Sequence, residues 1–340
     1  MKILGIESSC DDTSVAIVDS KRNILANEVL SQNDIHKLYK GVVPELAARS
    51  HVSYIDFTCK RALEKAGTTI DNINLISATA GPGLIGGLLV GLTFAKTLAQ
   101  VKNIPFVAAN HLEGHALTTR LTDNVKFPFL LLLVSGGHTN FYFVKSVNNY
   151  INLGGTLDDA LGEAFDKVAK MIGIEFPGGP NLEKIAKKGN ENAFLFAKPL
   201  IDKPDLNLSF SGLKTSVMRI IREESISDLS TKADIAASFQ KTISDILSIK
   251  LERAIEKIDT NITNFENVVI SGGVASNEYL RMKLKNLVKE KNKECYFPPV
   301  SLCTDNGAMI AWTGYERYMK GLKNNLDFPV KPRWPLEERK

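Results

Sequence analysis

"FLLLLVSGGHTNFYFVKS", residues 129–146, is the stretch whose reading decides the fold. An unbroken apolar run enters Ser135-Gly136-Gly137-His138, and Thr139 opens a second run. That order predicts strand, tight small-residue turn, strand. "ILGIESSCDDTSVAIVDS" (3–20) reads the same way, with a Ser/Asp-rich turn. Matching Ile6 to Val134 and Thr13 to Thr139 takes a one-residue gap. Two copies of one unit in one chain predict two related lobes. The competing reading is a chance likeness between two hairpins.

Outward from the first copy, hydrophobic periodicity predicts helices over 44–66 and 84–100 and strands over 73–79 and 104–109. After the second copy, "TLDDALGEAFDKVAKMIG" (156–173) predicts a helix, with Thr156 at the N-cap and Asp159 at N3. Ala160, Leu161, Ala164, Phe165, Val168 and Ala169 form its apolar face, opposite Glu163, Asp166 and Lys170. "FPGGPN" (176–181) predicts a loop, then helices over 181–189, 211–223 and 231–259. A strand over 267–272, a helix from about 276, a strand near 294–297 and a helix over 306–321 close the chain. Strands alternating with helices place it in the α/β class.

The 340 residues exceed one ordinary core and suit two domains. Apolar residues at 44% and charged residues at 24% give the balance of a soluble globular protein. A net charge of +4 permits contact with a polyanion without arguing for it. Cys10, Cys59, Cys295 and Cys303 stand far apart with no C-x-x-C pair, so a reducing cytosol is the expectation. "MKILGIESSC" enters a strand at once, which predicts no signal peptide. The most apolar run, 83–101, is broken by glycines and Lys96 and predicts a buried helix rather than a membrane span.

Glycines and histidines carry the candidate chemistry. "LLVSGGHT" (132–139) and "VISGGVASN" (269–277) both end a strand in Ser-Gly-Gly. Glycine there admits close approach of a ligand, and successive N–H groups in such turns bind anions. With the 8–14 turn and "GGP" at 178–180, the pattern points to a nucleotide phosphate site. It is not a Walker motif, because "GPGLIGG" (81–87) lacks the lysine, and no G-x-G-x-x-G occurs. "ANHLEGHALTTR" (109–120) sets His111 and His115 four apart, one helical face, with Asn110 as N-cap and Glu113 at N3 in a capping-box-like start. Two readings stand: metal ligands, or half-buried imidazoles bonded locally. "HLEGH" is not H-E-x-x-H, and Glu113 points off the histidine face, so a zinc protease loses its base. Asp305 is the best third ligand, or else a plain helix N-cap. Two histidines and one carboxylate leave open positions suited to Fe(II) or Zn(II). Asp166 reads as a surface charge or as a carboxylate on a ribose. The lysines and arginines of 281–294 and of "VKPRWPLEERK" read as solvated polar faces or as phosphate-backbone contacts.

"GIESSCDDTSVAIV", "NHLEGH", "LLLVSGGHT", "GEAFDKVAKMIG", "PGGP", "SFSGLKT", "VVISGGVASN" and "CTDNGAMIAW" follow one another in that order. So ordered, they resemble the TsaD (Gcp/Kae-type) family over nearly the whole chain. The resemblance implies the duplicated ASKHA fold shared with actin, sugar kinases and Hsp70 ATPase domains, two lobes with a central cleft. It implies an N-terminal lobe of 1–130 completed by about 305–340, and a C-terminal lobe of 131–304. It also implies transfer of the threonylcarbamoyl group from threonylcarbamoyl-adenylate to N6 of adenosine 37 in tRNAs reading codons that begin with A, releasing AMP. One Fe(II) or Zn(II) on His111, His115 and Asp305 is implied. So are adenylate contacts at Leu133, Val134, Ser135, Gly136, Gly137, Asp166, Gly179 and Asn277, with no side-chain nucleophile. Glu183 stands where many relatives carry Asp, which leaves its role open. The implied partners are tRNA, the TsaB paralogue and the TsaE ATPase, with the donor supplied by a TsaC-type synthase, in the cytoplasm and with no membrane. The TsaB interface is expected within 81–99, the alternative there being intradomain core. The rival functions are a metalloendopeptidase, an ASKHA-type small-molecule kinase and a chaperone-like ATPase.

Overall fold

Residues 3–20 form the expected hairpin, and it continues into a third strand. The computed structural model describes residues 1–39, 41–223 and 228–337. The first unit comprises Met1–Asn124, Ser146–Tyr150 and the described residues from Thr304 on; the second comprises Val125–Lys145 and Ile151–Cys303. In the first lie β1 (Lys2–Glu7), β2 (Asp12–Asp19), β3 (Ile24–Ser31), α1 (Asn33–Lys37), α2 (Pro44–Lys65), β4 (Leu75–Gly81), α3 (Ile85–Lys102), β5 (Phe106–Asn110) and α4 (His111–Thr122). Then come β6 (Phe129–Val134), β7 (Thr139–Ser146), β8 (Asn149–Gly155), α5 (Leu161–Met171), α6 (Gly178–Ala186), α7 (Ser211–Glu223), α8 (Leu229–Asn261), β9 (Asn267–Ser271), α9 (Glu278–Glu290) and β10 (Glu294–Tyr296). α10 (Gly307–Met319) returns the chain to the first unit.

The two sheets share one topology. The first runs β3-β2-β1-β4-β5, and the second, read from its other edge, β8-β7-β6-β9-β10. In each, an antiparallel hairpin (β1 with β2, β6 with β7) is extended by a parallel strand on its first member, β4 on β1 and β9 on β6. The duplication expected from the paired hairpins is therefore a duplication of whole sheets.

Alternation along β1 decides what faces what. Leu4 and Ile6 join a core with Ile55, Cys59 and Ala62 of α2 and Leu92, Ala95 and Ala99 of α3. Gly5 faces the other way. A Cβ there would stand 2.2 Å from the Gly307 carbonyl oxygen and 2.3 Å from the Ala311 nitrogen, so only glycine lets α10 lie this close to the strand. Glu7 is on the Gly5 face, and it is fully buried. In the second unit Leu130, Leu132, Phe141 and Phe143 of the hairpin pack with Phe165, Leu213, Phe239 and Leu247 of α5, α7 and α8.

Several boundaries differ from the sequence expectation. The helix expected over 156–173 begins at Leu161, and Thr156 does not cap it. The Leu161 N–H donates instead to Thr139 Oγ1 of β7 at 2.8 Å. The Thr156 hydroxyl donates to the Asp159 carbonyl, and Asp159 pairs with Lys167 and Lys214. "PGGP" is not loop throughout, because α6 starts at Gly178. β3 and β8, each at one edge of its sheet, were not expected; β3 alternates poorly between buried and exposed positions. No helix of the described residues is long and apolar enough to cross a membrane. Residues 338–340 of the basic tail lie outside the described residues.

Candidate metal centre and glycine turns

Asn110 ends β5 and caps α4, its Oδ1 accepting from the Leu112 N–H at 2.9 Å and the Glu113 N–H at 3.4 Å. The cap fixes His111 as the first helical residue, and His115 follows one turn later on the same side. Their rings meet edge to face, centroids 4.8 Å apart. Asp305 Oδ1 lies 3.2 Å from His115 Nε2 and 3.5 Å from His111 Nε2. One donor atom of each residue falls within 4.8 Å of the others, the one such group of His, Cys or acidic side chains among the described residues. Donors bound to a common ion stand about 3–4 Å apart, so small adjustments suffice. The bland reading of Asp305 fails: Asn306 is the N-cap of α10, accepting from the Met309 N–H at 3.0 Å.

Glu7 is the residue that sequence reasoning missed. Its Oε2 accepts from His111 Nδ1–H at 3.0 Å and from the Thr79 hydroxyl at 2.5 Å, and its Oε1 accepts from the Ser9 N–H at 2.6 Å. Ser9 Oγ also lies 3.1 Å from His111 Nδ1. A carboxylate behind one ring nitrogen fixes the tautomer and turns the other nitrogen toward Asp305, the arrangement expected behind a metal-binding histidine. Burial would push Glu7 upward, but the His111 charge and hydrogen bond outweigh it and lower the group. Burial likewise opposes a charged His111, yet Asp305 and Glu7 raise it to about 9. A cation is thus favoured at this point. The missed signal was a lone acid ending an otherwise apolar strand.

Glu113 does not complete a capping box. It is 1% exposed, and it accepts from Arg317 at 2.7 Å, the Tyr150 hydroxyl at 2.8 Å and the Asn148 N–H at 3.0 Å. With both oxygens so engaged, away from the histidine pair, it offers no base for peptide hydrolysis.

In the second unit the structure brings most of the expected nucleotide residues together. Ser135, Gly136 and Gly137 form the β6–β7 turn, closed by the Ser135 N–H donating to the His138 carbonyl at 2.8 Å. A Cβ at Gly136 or Gly137 would meet nothing within 4 Å. The N-terminus of α5 packs on this turn, since a Cβ at Gly162 would stand 2.8 Å from Gly136 Cα. Gly272, at φ 101°, abuts the Val134 carbonyl from the end of β9. Two glycine turns and a helix N-terminus therefore meet at the carboxyl ends of parallel strands, where α/β sheets bind phosphates. Leu133 and Val134 are core residues and present only backbone. Asp166 Oδ1 accepts from the Gly179 N–H at 3.2 Å. Asn277 is 5% exposed: its Oδ1 caps α9 at Leu280, and its amide donates to Gln240 Oε1 at 2.8 Å. Glu183 Oε1 accepts from the Glu278 N–H at 2.7 Å, tying α6 to the start of α9.

Comparison with known proteins then decides the family. A family model described as "TsaD: tRNA N6-adenosine threonylcarbamoyltransferase" matches residues 23–312. The chain belongs to the TsaD family. A tRNA N6-adenosine threonylcarbamoyltransferase of Rickettsia bellii (strain OSU 85-389) is 56% identical over 340 residues, 99% of each chain. One from Rickettsia rickettsii (strain Sheila Smith) is 51% identical over the same span and coverage. Among solved structures, HypF of T. kodakarensis superposes with a TM-score of 0.62 at 15% identity, over 94% of this chain and 48% of that one. Component A of the Acidaminococcus fermentans (R)-2-hydroxyglutaryl-CoA dehydratase gives 0.53 at 14%, over 94% and 99%. These likenesses show the fold, and this TsaD-family chain has the duplicated ASKHA architecture.

Proposed function

We propose that this protein transfers the threonylcarbamoyl group of threonylcarbamoyl-adenylate to N6 of adenosine 37 in tRNAs reading codons that begin with A, releasing AMP. Family membership supports the reaction. The observation that carries its metal-assisted form is the convergence of His111, His115 and Asp305, with Glu7 orienting His111. The donor set of two imidazoles and one carboxylate fits Fe(II) or Zn(II). When bound, such an ion orients donor oxygens and offsets negative charge. The mixed anhydride of the donor is already activated, so no side-chain nucleophile is required. What remains is positioning against a weakly nucleophilic amine. The N–H groups of Gly136 and Gly137 hold the phosphate, in a turn that the Ser135 N–H closes, and Asp166 and Gly179 hold the ribose side. Leu133, Val134 and Asn277 contribute through backbone, given that their side chains are committed elsewhere.

The same proposal places the protein in the cytoplasm, fed by a TsaC-type synthase and working with TsaB and TsaE. An apolar groove of about 450 Å³ on the first unit, lined by Val52, Ile55, Leu89, Phe94 and Leu98 of α2 and α3, supports TsaB docking there. His111→Ala is expected to abolish bound metal and transfer together, read by metal analysis and by modified nucleoside in tRNA. Full transfer by a metal-free variant contradicts the metal-assisted form.

A further inference from the structure

Glu113, Gly114 and His115 are consecutive, yet each meets α10 or the residue that leads into it differently. Gly114 is the close approach: a Cβ there would stand 3.0 Å from Ile310 Cδ1 and 3.2 Å from Met309 Cγ. Residues two apart on a helix point about 200° apart around its axis. His115 therefore reaches Asp305, just before α10, at 3.2 Å. Glu113 reaches Arg317, in the last turn of α10, at 2.7 Å. Asp305 and Arg317 stand on opposite sides of the crossing. Both Glu113 and Arg317 are buried, at 1% and 7% exposure. A buried carboxylate–guanidinium pair is a strong, geometrically specific bond and a costly one to break on one side only.

We propose that the Glu113–Arg317 pair is a positioning device for the metal ligands: it fixes the rotation of α4 about its crossing at Gly114, and so sets where His111 and His115 stand relative to Asp305. Glu113 and Arg317 touch neither substrate nor metal and act through α4 and α10. The Tyr150 hydroxyl and the Asn148 N–H hold the same carboxylate, so the pin is anchored from a third segment. The Arg120–Glu316 pair also joins α4 to α10, with Arg120 Nε 2.8 Å from Glu316 Oε1, but it lies at the far end of α4. It serves as the internal comparison. The inference rests on the metal reading of the triad.

The test is Co(II) titration of the full chain, read by affinity and by the visible ligand-field spectrum, beside thermal melting. Glu113→Ala and Arg317→Ala are expected to weaken Co(II) about 10- to 100-fold, the range for losing a partner that orients metal ligands, and to change the spectrum. Glu316→Ala is expected to lower Tm while leaving affinity and spectrum as in the parent. Glu113→Gln keeps the shape and the acceptor oxygen, so it carries the test should Glu113→Ala not fold, with a smaller loss of affinity in the same direction. Parent-like affinity and spectrum in Glu113→Gln and Arg317→Ala overturn the proposal, as does an equal loss in Glu316→Ala. A parent chain that takes up no Co(II) overturns the metal reading itself, a different outcome.

Discussion

At the residue scale, the glycines of the β6–β7 turn separate a ligand role from a structural one. Gly136 and Gly137 face open space, and neither holds a positive φ, so a side chain at either fits the protein itself. Gly137→Val is therefore expected to leave Tm within about 1 °C of the parent, as for a surface change. It is expected to weaken binding of an adenylate analogue at least tenfold, measured by calorimetry, because its methyls fill the space a phosphate needs. The same contrast shows what the sequence disclosed at this scale. Ser-Gly-Gly at two strand ends and histidines four apart have spacings that local geometry explains, so both were legible. Glu7 reaches His111 only because β1 and β5 share a sheet, a fact no local pattern carries. Glu113 looked like a cap residue by position, and its partners Arg317 and Tyr150 are remote in sequence.

At the element scale, the start of α7 is built by Asp158. Its carboxylate accepts from the Phe210 N–H at 2.8 Å, the Ser211 N–H at 3.3 Å and the hydroxyls of Ser209 and Ser211 at 2.5 and 2.6 Å. Burial would raise this acid, but those hydrogen bonds prevail and lower it from 3.8 to about 2. A lowered carboxylate stabilises the fold above its unfolded value and loses that contribution as pH falls through its folded one. Asp158→Asn is accordingly expected to cost about 1 kcal/mol at neutral pH, a modest figure because the group is exposed. The difference from the parent should shrink as pH falls from about 4 toward 2, followed by urea unfolding across that range. A gap that stays constant down to pH 2 speaks against the assignment. Elements themselves were mostly legible where periodicity was strong, as in α7 and α9. They were misread where a distant group replaces a local signal. Thr139 caps α5 from another strand, so Thr156 and Asp159, which satisfied the local rule, were free for other bonds. The strands β3 and β8 lack a clean alternation of buried and exposed positions, so no strand period marks them.

At the scale of the whole molecule, the repeated strand order β3-β2-β1-β4-β5 and β8-β7-β6-β9-β10 explains why one chain carries two small-residue hairpin turns, one Ser/Asp-rich and one Ser/Gly-rich. The two copies have diverged in what they hold. In the first, the strand end and turn supply Glu7 and Ser9 behind His111; in the second, the turn presents the glycines Gly136 and Gly137 to open space. The central claim is that this protein moves a threonylcarbamoyl group from an adenylate to tRNA. The most direct test is nucleoside mass analysis of unmodified tRNA incubated with threonylcarbamoyl-adenylate, the purified protein and the proposed partners TsaB and TsaE. The account predicts N6-threonylcarbamoyladenosine in the digest, dependent on this chain; unchanged adenosine from a complete and folded reaction mixture would contradict it.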